Sequence, residues 1–135
     1  MLKISDLNVS IQSVSVLQGV GLDLPTGAVA GLIGRNGAGK TTLMRSIMGL
    51  LPCSSGTMEF DGSDLREIPA YGRSRLGIGY MPEDRRLIPE VTVEENILLP
   101  AWAIGTQDAP RRLEKICTMI PEIKVFAKRK AMQLS

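Results

Sequence analysis

The sequence predicts an α/β fold: antiparallel strands first, then a buried strand that runs into a glycine-rich loop, with helices beyond it. Three observations carry this. Residues 2–24 alternate loosely between apolar and polar. Ala28 to Ile33 is apolar apart from Gly31, and the glycine-rich stretch Gly34 to Gly39 follows at once. Beyond residue 40, apolar residues recur at helical spacing.

In order, Leu2, Ile4, Leu7 and Val9, then Val14, Val16, Val20, Leu22 and Leu24, read as antiparallel strands with one solvated face. Pro25-Thr26-Gly27 is a turn. The apolar run Ala28 to Ile33 reads as a buried central strand. A helix from about Lys40 to Leu50 would share Leu43, Ile47 and Leu50 on one face, and Pro52 would stop it. Thr57 to Phe60 is a short strand closed by Asp61-Gly62, and Leu76 to Met81 reads as another strand. Thr92-Val93-Glu94-Glu95 is a capping box whose helix Pro100 should kink or end. Both carboxylates suit a helix N-terminus. Asp108 should cap the next helix, with Pro110 in its first turn and Leu113, Ile116, Cys117 and Ile120 facing inward. Residues 1–135 fit one domain by length.

Composition narrows the chemistry. At 135 residues, 44% hydrophobic and 22% charged, the chain is globular in character. A net charge of +2 gives no argument for nucleic acid, and the cluster Lys124, Lys128, Arg129 and Lys130 reads as a solvated face. Without any histidine, imidazole serves neither as base nor as metal ligand. Cys53 and Cys117 lack metal-site spacing and read as free thiols. Trp102 and Tyr80 read as packing residues. The charged start Lys3 to Asp6 does not suit a signal peptide, and the apolar stretch Ile97 to Ile104 is far shorter than the roughly 20 residues of a membrane helix. A cytosolic chain that can dock on a membrane protein is expected.

Gly34-Arg35-Asn36-Gly37-Ala38-Gly39-Lys40-Thr41 matches G-x-x-x-x-G-K-[ST] at every fixed position. Small residues let backbone N–H groups wrap a β-phosphate, and a helix beginning near Lys40 aims free amides and its positive dipole end at the same group. Lys40 supplies a mobile cation for the β- and γ-phosphates. The Thr41 hydroxyl is a hard oxygen ligand for Mg²⁺, and Thr42 is placed for the α-phosphate. A nucleoside triphosphate with Mg²⁺ is therefore the expected ligand of residues 34–42.

At this point the chain resembles the ATP-binding-cassette (ABC) family. Gly31 to Thr42 looks like the Walker A segment, and the likeness continues through Leu51-Pro52, Ser55-Gly56, Phe60-Asp61-Gly62, Ile78-Gly79-Tyr80-Met81-Pro82-Glu83, Leu87-Ile88-Pro89 and Thr92 to Asn96. It covers essentially the whole chain. Pro-Glu-x-Arg-Arg followed by Thr-Val-Glu-Glu-Asn is most similar to ATP-binding subunits of branched-chain amino-acid importers. The resemblance implies a truncated ABC nucleotide-binding domain: a P-loop NTPase core with an antiparallel β subdomain over about 1–82, and the Q-loop with the start of a helical subdomain over about 83–135. It implies ATP hydrolysis by two cassettes, in a homo- or heterodimer, driving a transmembrane permease. It implies a cytoplasmic location, peripheral on the inner face of the plasma membrane. It also places Glu83 where the family usually holds the Q-loop glutamine, as a tentative catalytic and metal-contacting carboxylate.

Two departures from the family qualify these expectations. Leu134-Ser135 looks like the first two residues of the signature Leu-Ser-Gly-Gly-Gln, so the chain resembles the N-terminal part of a cassette. The Walker B carboxylates, D-loop and switch histidine do not occur in it, so these residues alone are not expected to hydrolyse ATP. Where the family often stacks adenine on an aromatic, the matching stretch is Ser10-Ile11-Gln12. A non-hydrolysing nucleotide-binding module and a soluble cassette ATPase without a permease remain as alternatives. A GTPase is disfavoured by the lack of Asn-Lys-x-Asp.

Overall fold

The computed structural model describes residues 1–84 and 87–134. Arg85 and Arg86 of the Pro-Glu-x-Arg-Arg motif, and Ser135 of the signature start, lie outside the described residues. The chain divides into two compact units, Met1–Ile78 and Gly79–Ser135.

The first unit is an antiparallel sheet of order β2-β1-β3-β4 with a helix against it. Strand β1 (Leu2–Ile11) lies between β2 (Val14–Leu24) and β3 (Ser55–Phe60), and β3 turns through Asp61-Gly62 into the short β4 (Ser63–Asp64). Leu2 pairs with Leu24 on one side and Phe60 on the other, and Ile4 with Leu22 and Met58. The expected alternation holds in β1, where Ile4, Leu7 and Val9 are buried, but in β2 the buried residue is Leu17, while Val14 is 64% exposed and Val16 half-buried. A register shift bends β1 after Ile4, where Asp6 takes a φ of 49°. Asn8 stitches the bend, donating to the Asp6 carbonyl (2.6 Å) and Ser55 Oγ (3.0 Å) and accepting from the Gly19 amide (2.9 Å).

Helix α1 (Lys40–Ile47) lays Leu43 and Ile47 into the core formed with Met58, Leu65 and the β1–β2 residues. Its expected length is corrected. It ends before Pro52, in a Schellman arrangement: Gly49, at φ 71°, donates to Ser46 O (2.9 Å) and Leu50 donates to Arg45 O (2.8 Å). Leu50 is consequently turned out, 49% exposed, instead of sharing the buried face.

The two expected strands Ala28 to Ile33 and Leu76 to Met81 are not formed. A central strand exists only when neighbours bond both its edges, and no described strand pairs with either segment, the sheet running β2-β1-β3-β4 without them. Residues 28–33 instead run without regular structure, with Val29 98% and Ile33 95% exposed. Around Leu76 the chain forms helix α2 (Ala70–Arg73) and a 3₁₀ turn (Ser74–Leu76) that Gly77 terminates at φ 86°.

The second unit holds helices α3 (Val93–Ala103), α4 (Ala109–Met119) and α5 (Glu122–Phe126). The capping box forms as expected: Glu95 N donates to Thr92 Oγ1 (3.2 Å), and Thr92 N donates to Glu95 Oε2 (2.7 Å). The next free amides of α3 are taken by the segment after α5, Val93 N by Arg129 O and Glu94 N by Ala127 O, both at 3.0 Å. The Lys128 ammonium meets the Glu94 carboxylate at 2.6 Å. Pro100 neither ends nor breaks α3, which continues to Ala103. Asp108 sits at the N-cap of α4 without a side-chain cap bond, its carboxylate standing 3.8 Å from Arg112 instead. Cys117 is buried and Leu113 and Ile116 are half-buried, but Ile120 is 50% exposed because it falls beyond the helix end. Trp102 is also half exposed at 51%, against the packing role expected of it.

The Thr92 bonds hold the Glu95 carboxyl below its ordinary range, through the Thr92 amide first and its hydroxyl second. A depressed carboxylate stabilises the fold above its unfolded pKa, and that contribution is lost as pH falls through the folded value. Thr92→Ala should cost about 0.5–2 kcal/mol at neutral pH. In urea melts followed by the helix signal, the difference from the parent should shrink as pH is lowered below about 4.

Candidate nucleotide-binding site

Residues 34–39 form a tight loop delivered by the end of the 28–33 segment. Ala38 N donates to Arg35 O at 3.1 Å, closing a turn. Gly37 and Gly39 hold φ of 82° and 91°, left-handed values that only glycine adopts without strain. Gly39 is also a point of close approach. A Cβ there would come within 2.7 Å of Leu17 Cδ2 and 3.4 Å of the Val16 carbonyl on β2. The missing side chain thus lets the start of α1 rest directly on the sheet.

Gly39 is the N-cap of α1 and offers no side-chain cap. The first intrahelical bond at this end is Leu43 N to Gly39 O (2.8 Å), leaving the amides of Lys40, Thr41 and Thr42 without helical partners. The first turn carries no acidic residue, so nothing of its own neutralises the positive dipole end. The Lys40 ammonium folds back over the loop, donating to Gly34 O (2.7 Å) and Arg35 O (2.8 Å). Its charge is held on neutral carbonyls, which a phosphate oxygen can outcompete because a charge-assisted bond is about twice as strong as a neutral one. Thr41 is exposed and Thr42 half-buried, so the Thr41 hydroxyl is accessible to a hard cation.

All nine residues of the expected phosphate loop, Gly34, Arg35, Asn36, Gly37, Ala38, Gly39, Lys40, Thr41 and Thr42, therefore lie in one continuous loop and helix start. Glu83 belongs to the other compact unit, where it is exposed in a turn next to Asp84. The described residues contain no cluster of three or more His, Cys, Asp or Glu side chains able to hold a metal. Both cysteines are free. No helix among the described residues is long and apolar enough to cross a membrane.

The β1–β2 turn leaves Ile11 38% exposed, with Gln12 and Ser13 at φ 48° and 68°. Val14 is 64% exposed and Val16 half-buried on the strand that meets Gly39. The side chains beside this end of the site are thus aliphatic.

One residue with a bearing on the site left no motif. Arg73 is 4% exposed and directs its guanidinium to the far end of α1. Because its partners are backbone carbonyls, the sequence shows no opposite charge at a matching spacing.

This geometry defines a nucleotide-binding cassette of the ABC type. The family model for ABC transporters matches residues 17–135, and the chain belongs to that family. It is similar to the probable branched-chain amino acid transport ATP-binding protein LivF of Archaeoglobus fulgidus, 33% identical over all of this chain and 57% of the relative. It is also similar to the lipopolysaccharide export system ATP-binding protein LptB of Haemophilus influenzae, 31% identical over 93% of this chain and 52% of that one. Among solved structures, the ATP-binding subunit of an ABC transporter superposes with a TM-score of 0.87 at 30% identity, covering 100% of this chain and 56% of that one. The chain spans a little over half the length of these relatives.

The two loop glycines make a graded test. Gly37→Ala meets open space and should cost about 1–3 kcal/mol for its left-handed φ alone. Gly39→Ala adds the Leu17 clash to the same strain and should be the more destabilising of the two in urea unfolding.

Proposed function

We propose that this chain is the phosphate-binding part of an ABC transporter's ATP-binding subunit, which binds MgATP to drive import of a branched-chain amino acid. The observation that carries the reading is the uncapped, acid-free start of α1 behind a glycine loop with Lys40 folded over it. In this reading the amides of residues 37–42 and the helix dipole receive the phosphates. Lys40 exchanges the Gly34 and Arg35 carbonyls for phosphate oxygens. Thr41 ligates Mg²⁺, with Glu83 as the Q-loop carboxylate on the metal or its water. Residues 1–82 act as the β subdomain and loop-bearing core, and residues 83–135 as the Q-loop and helical subdomain. A second cassette and permease subunits are the partners, which sets the chain on the cytoplasmic face of the membrane. Nucleic acid is not a partner.

Amino-acid import is favoured by the similarity to LivF over all of this chain and by the Thr92 to Asn96 pattern. The similarity to a lipopolysaccharide exporter is the reason the cargo is a proposal.

Lys40→Ala should lose at least about 1.5–3 kcal/mol of MgATP affinity, the worth of a charge-assisted contact, while keeping the sheet signal. Unchanged affinity by titration calorimetry would remove Lys40, and with it the phosphate-loop reading.

The Ser10-Ile11-Gln12 stretch carries no aromatic side chain to stack on the base. Competition of GTP against labelled ATP should show a preference under roughly tenfold, or about 1.4 kcal/mol. A larger ratio would mean that another residue reads adenine.

A further inference from the structure

The geometry points to Arg73 as a positioning residue for the phosphate site, a clamp on the far end of α1 that holds the helix start in register with the glycine loop. This rests on the proposed phosphate-binding reading and adds to it a residue outside the loop.

Arg73 ends α2, in the segment that follows β4. Its guanidinium donates to Ser46 O (2.9 Å) and Ile47 O in the last turn of α1, to Leu65 O, and through Nε to Ile68 O (3.0 Å). One planar fork thus ties the C-terminus of α1 to the chain just after the β3–β4 hairpin. Leu65 is itself fully buried, and its amide donates to Met58 O on β3 (2.8 Å), so the fork is anchored to the sheet. The fit is close. Gly49 passes so near that a Cβ there would lie 2.8 Å from the Arg73 Cζ.

The arrangement bears on the site because α1 is short. Its eight residues span about 12 Å, and a helix of that length has little stability of its own. Its orientation is set by what it touches. At the start there is only the Gly39 approach to β2. In the middle, Leu43 and Ile47 give apolar contact, which is non-directional. Arg73 adds directional bonds, tying Ser46 O and Ile47 O of α1 to Leu65 and Ile68. The cation also lies at the negative end of the helix dipole, where it is favourable. A tilt at the clamped end would move the amides of Lys40, Thr41 and Thr42 away from the phosphates they are to meet, and misplacement of about 1 Å is enough to matter at such sites.

The test uses the full chain and its Arg73→Met and Arg73→Lys variants, with Mg-ATP and inorganic tripolyphosphate as probes. Tripolyphosphate reads the loop without the base. Affinity is measured per folded molecule, at a temperature where the sheet signal is complete. The amide resonances of Gly37, Gly39 and Lys40 are followed in parallel. Arg73→Met should weaken tripolyphosphate and ATP by the same factor, on the order of tenfold, and shift those distant amides. Arg73→Lys, which keeps the charge but lacks the planar fork, should fall between Met and the parent. A purely structural Arg73 would lower the melting temperature and leave the affinity of the folded protein alone. Affinity within about twofold of the parent in folded Arg73→Met would overturn the inference. If that variant does not fold, Arg73→Lys decides, and parental affinity together with unshifted loop amides overturns it equally. Failure of the parent itself to bind tripolyphosphate would be a different result, because it would defeat the phosphate-loop reading whatever Arg73 does.

Discussion

The first unit depends on how closely α1 can approach β2, and one missing side chain sets that distance. Gly39 faces Leu17 and the Val16 carbonyl at a separation where a Cβ would collide with the leucine. With hydrogen there, the loop can turn at φ 91° and start the helix against the sheet in a single step. Leu43 then falls one turn on, into the cluster with Val9, Leu17 and Met58. A bulkier residue would lift the helix start from the strand and separate the loop from the core that holds it. The glycine pattern of this motif therefore meets two demands at once: room for a phosphate on one side and room for a strand on the other.

Charge is arranged around the same helix with little use of carboxylates. Lys40 rests on two loop carbonyls and Arg73 on four carbonyls at the other end. Burial alone pushes the Arg73 guanidinium toward easier deprotonation, with Cys53 and Asp64 opposing it. An arginine still keeps its proton, so the carbonyl dipoles must carry the compensation for a buried charge. Asp64, the nearest carboxylate named in that balance, is already engaged by Arg66, whose side-chain bonds hold it down to about 2. An Lys40 held by neutral oxygens is a cation kept in place yet still exchangeable. A carboxylate in the loop would have bound it more tightly and repelled the phosphate as well.

Local chemistry was legible in the sequence wherever the partners are close along the chain. The Thr92–Glu95 capping box, the alternation of β1 and the glycine loop ahead of a helix are all interactions within a few residues or a period of two, and each forms as read. The misread helix ends have local causes too. Gly49 was a better stop signal than Pro52, since a left-handed glycine closes two orphan carbonyls and a proline merely cannot continue. The strands expected at 28–33 and 76–81 are failures of another kind. Apolar runs state that a segment can be buried, but a strand also needs edges to bond, and edges are set by topology. Here β1 uses both of its own on β2 and β3. Of the candidate site, the glycine loop and helix start were legible as local structure, whereas Glu83 rests on family resemblance alone.

Arg73 shows why the remainder was hidden. A salt bridge advertises itself as paired signs, and a capping box as paired residue types, but a guanidinium bonded to backbone carbonyls has partners of no particular identity. Ser46, Ile47, Leu65 and Ile68 could each be many other residues and present the same oxygen. The only trace in the sequence is negative. Gly49 must stay small because the fork passes within contact distance of it. That trace has an independent reading as the helix terminator, so the two roles mask each other. The Schellman bonds fix the backbone at Gly49 in the left-handed region, and the absent Cβ then leaves the channel through which Arg73 reaches the end of α1. The residue that ends the phosphate-loop helix is thus the same one that admits the clamp upon it.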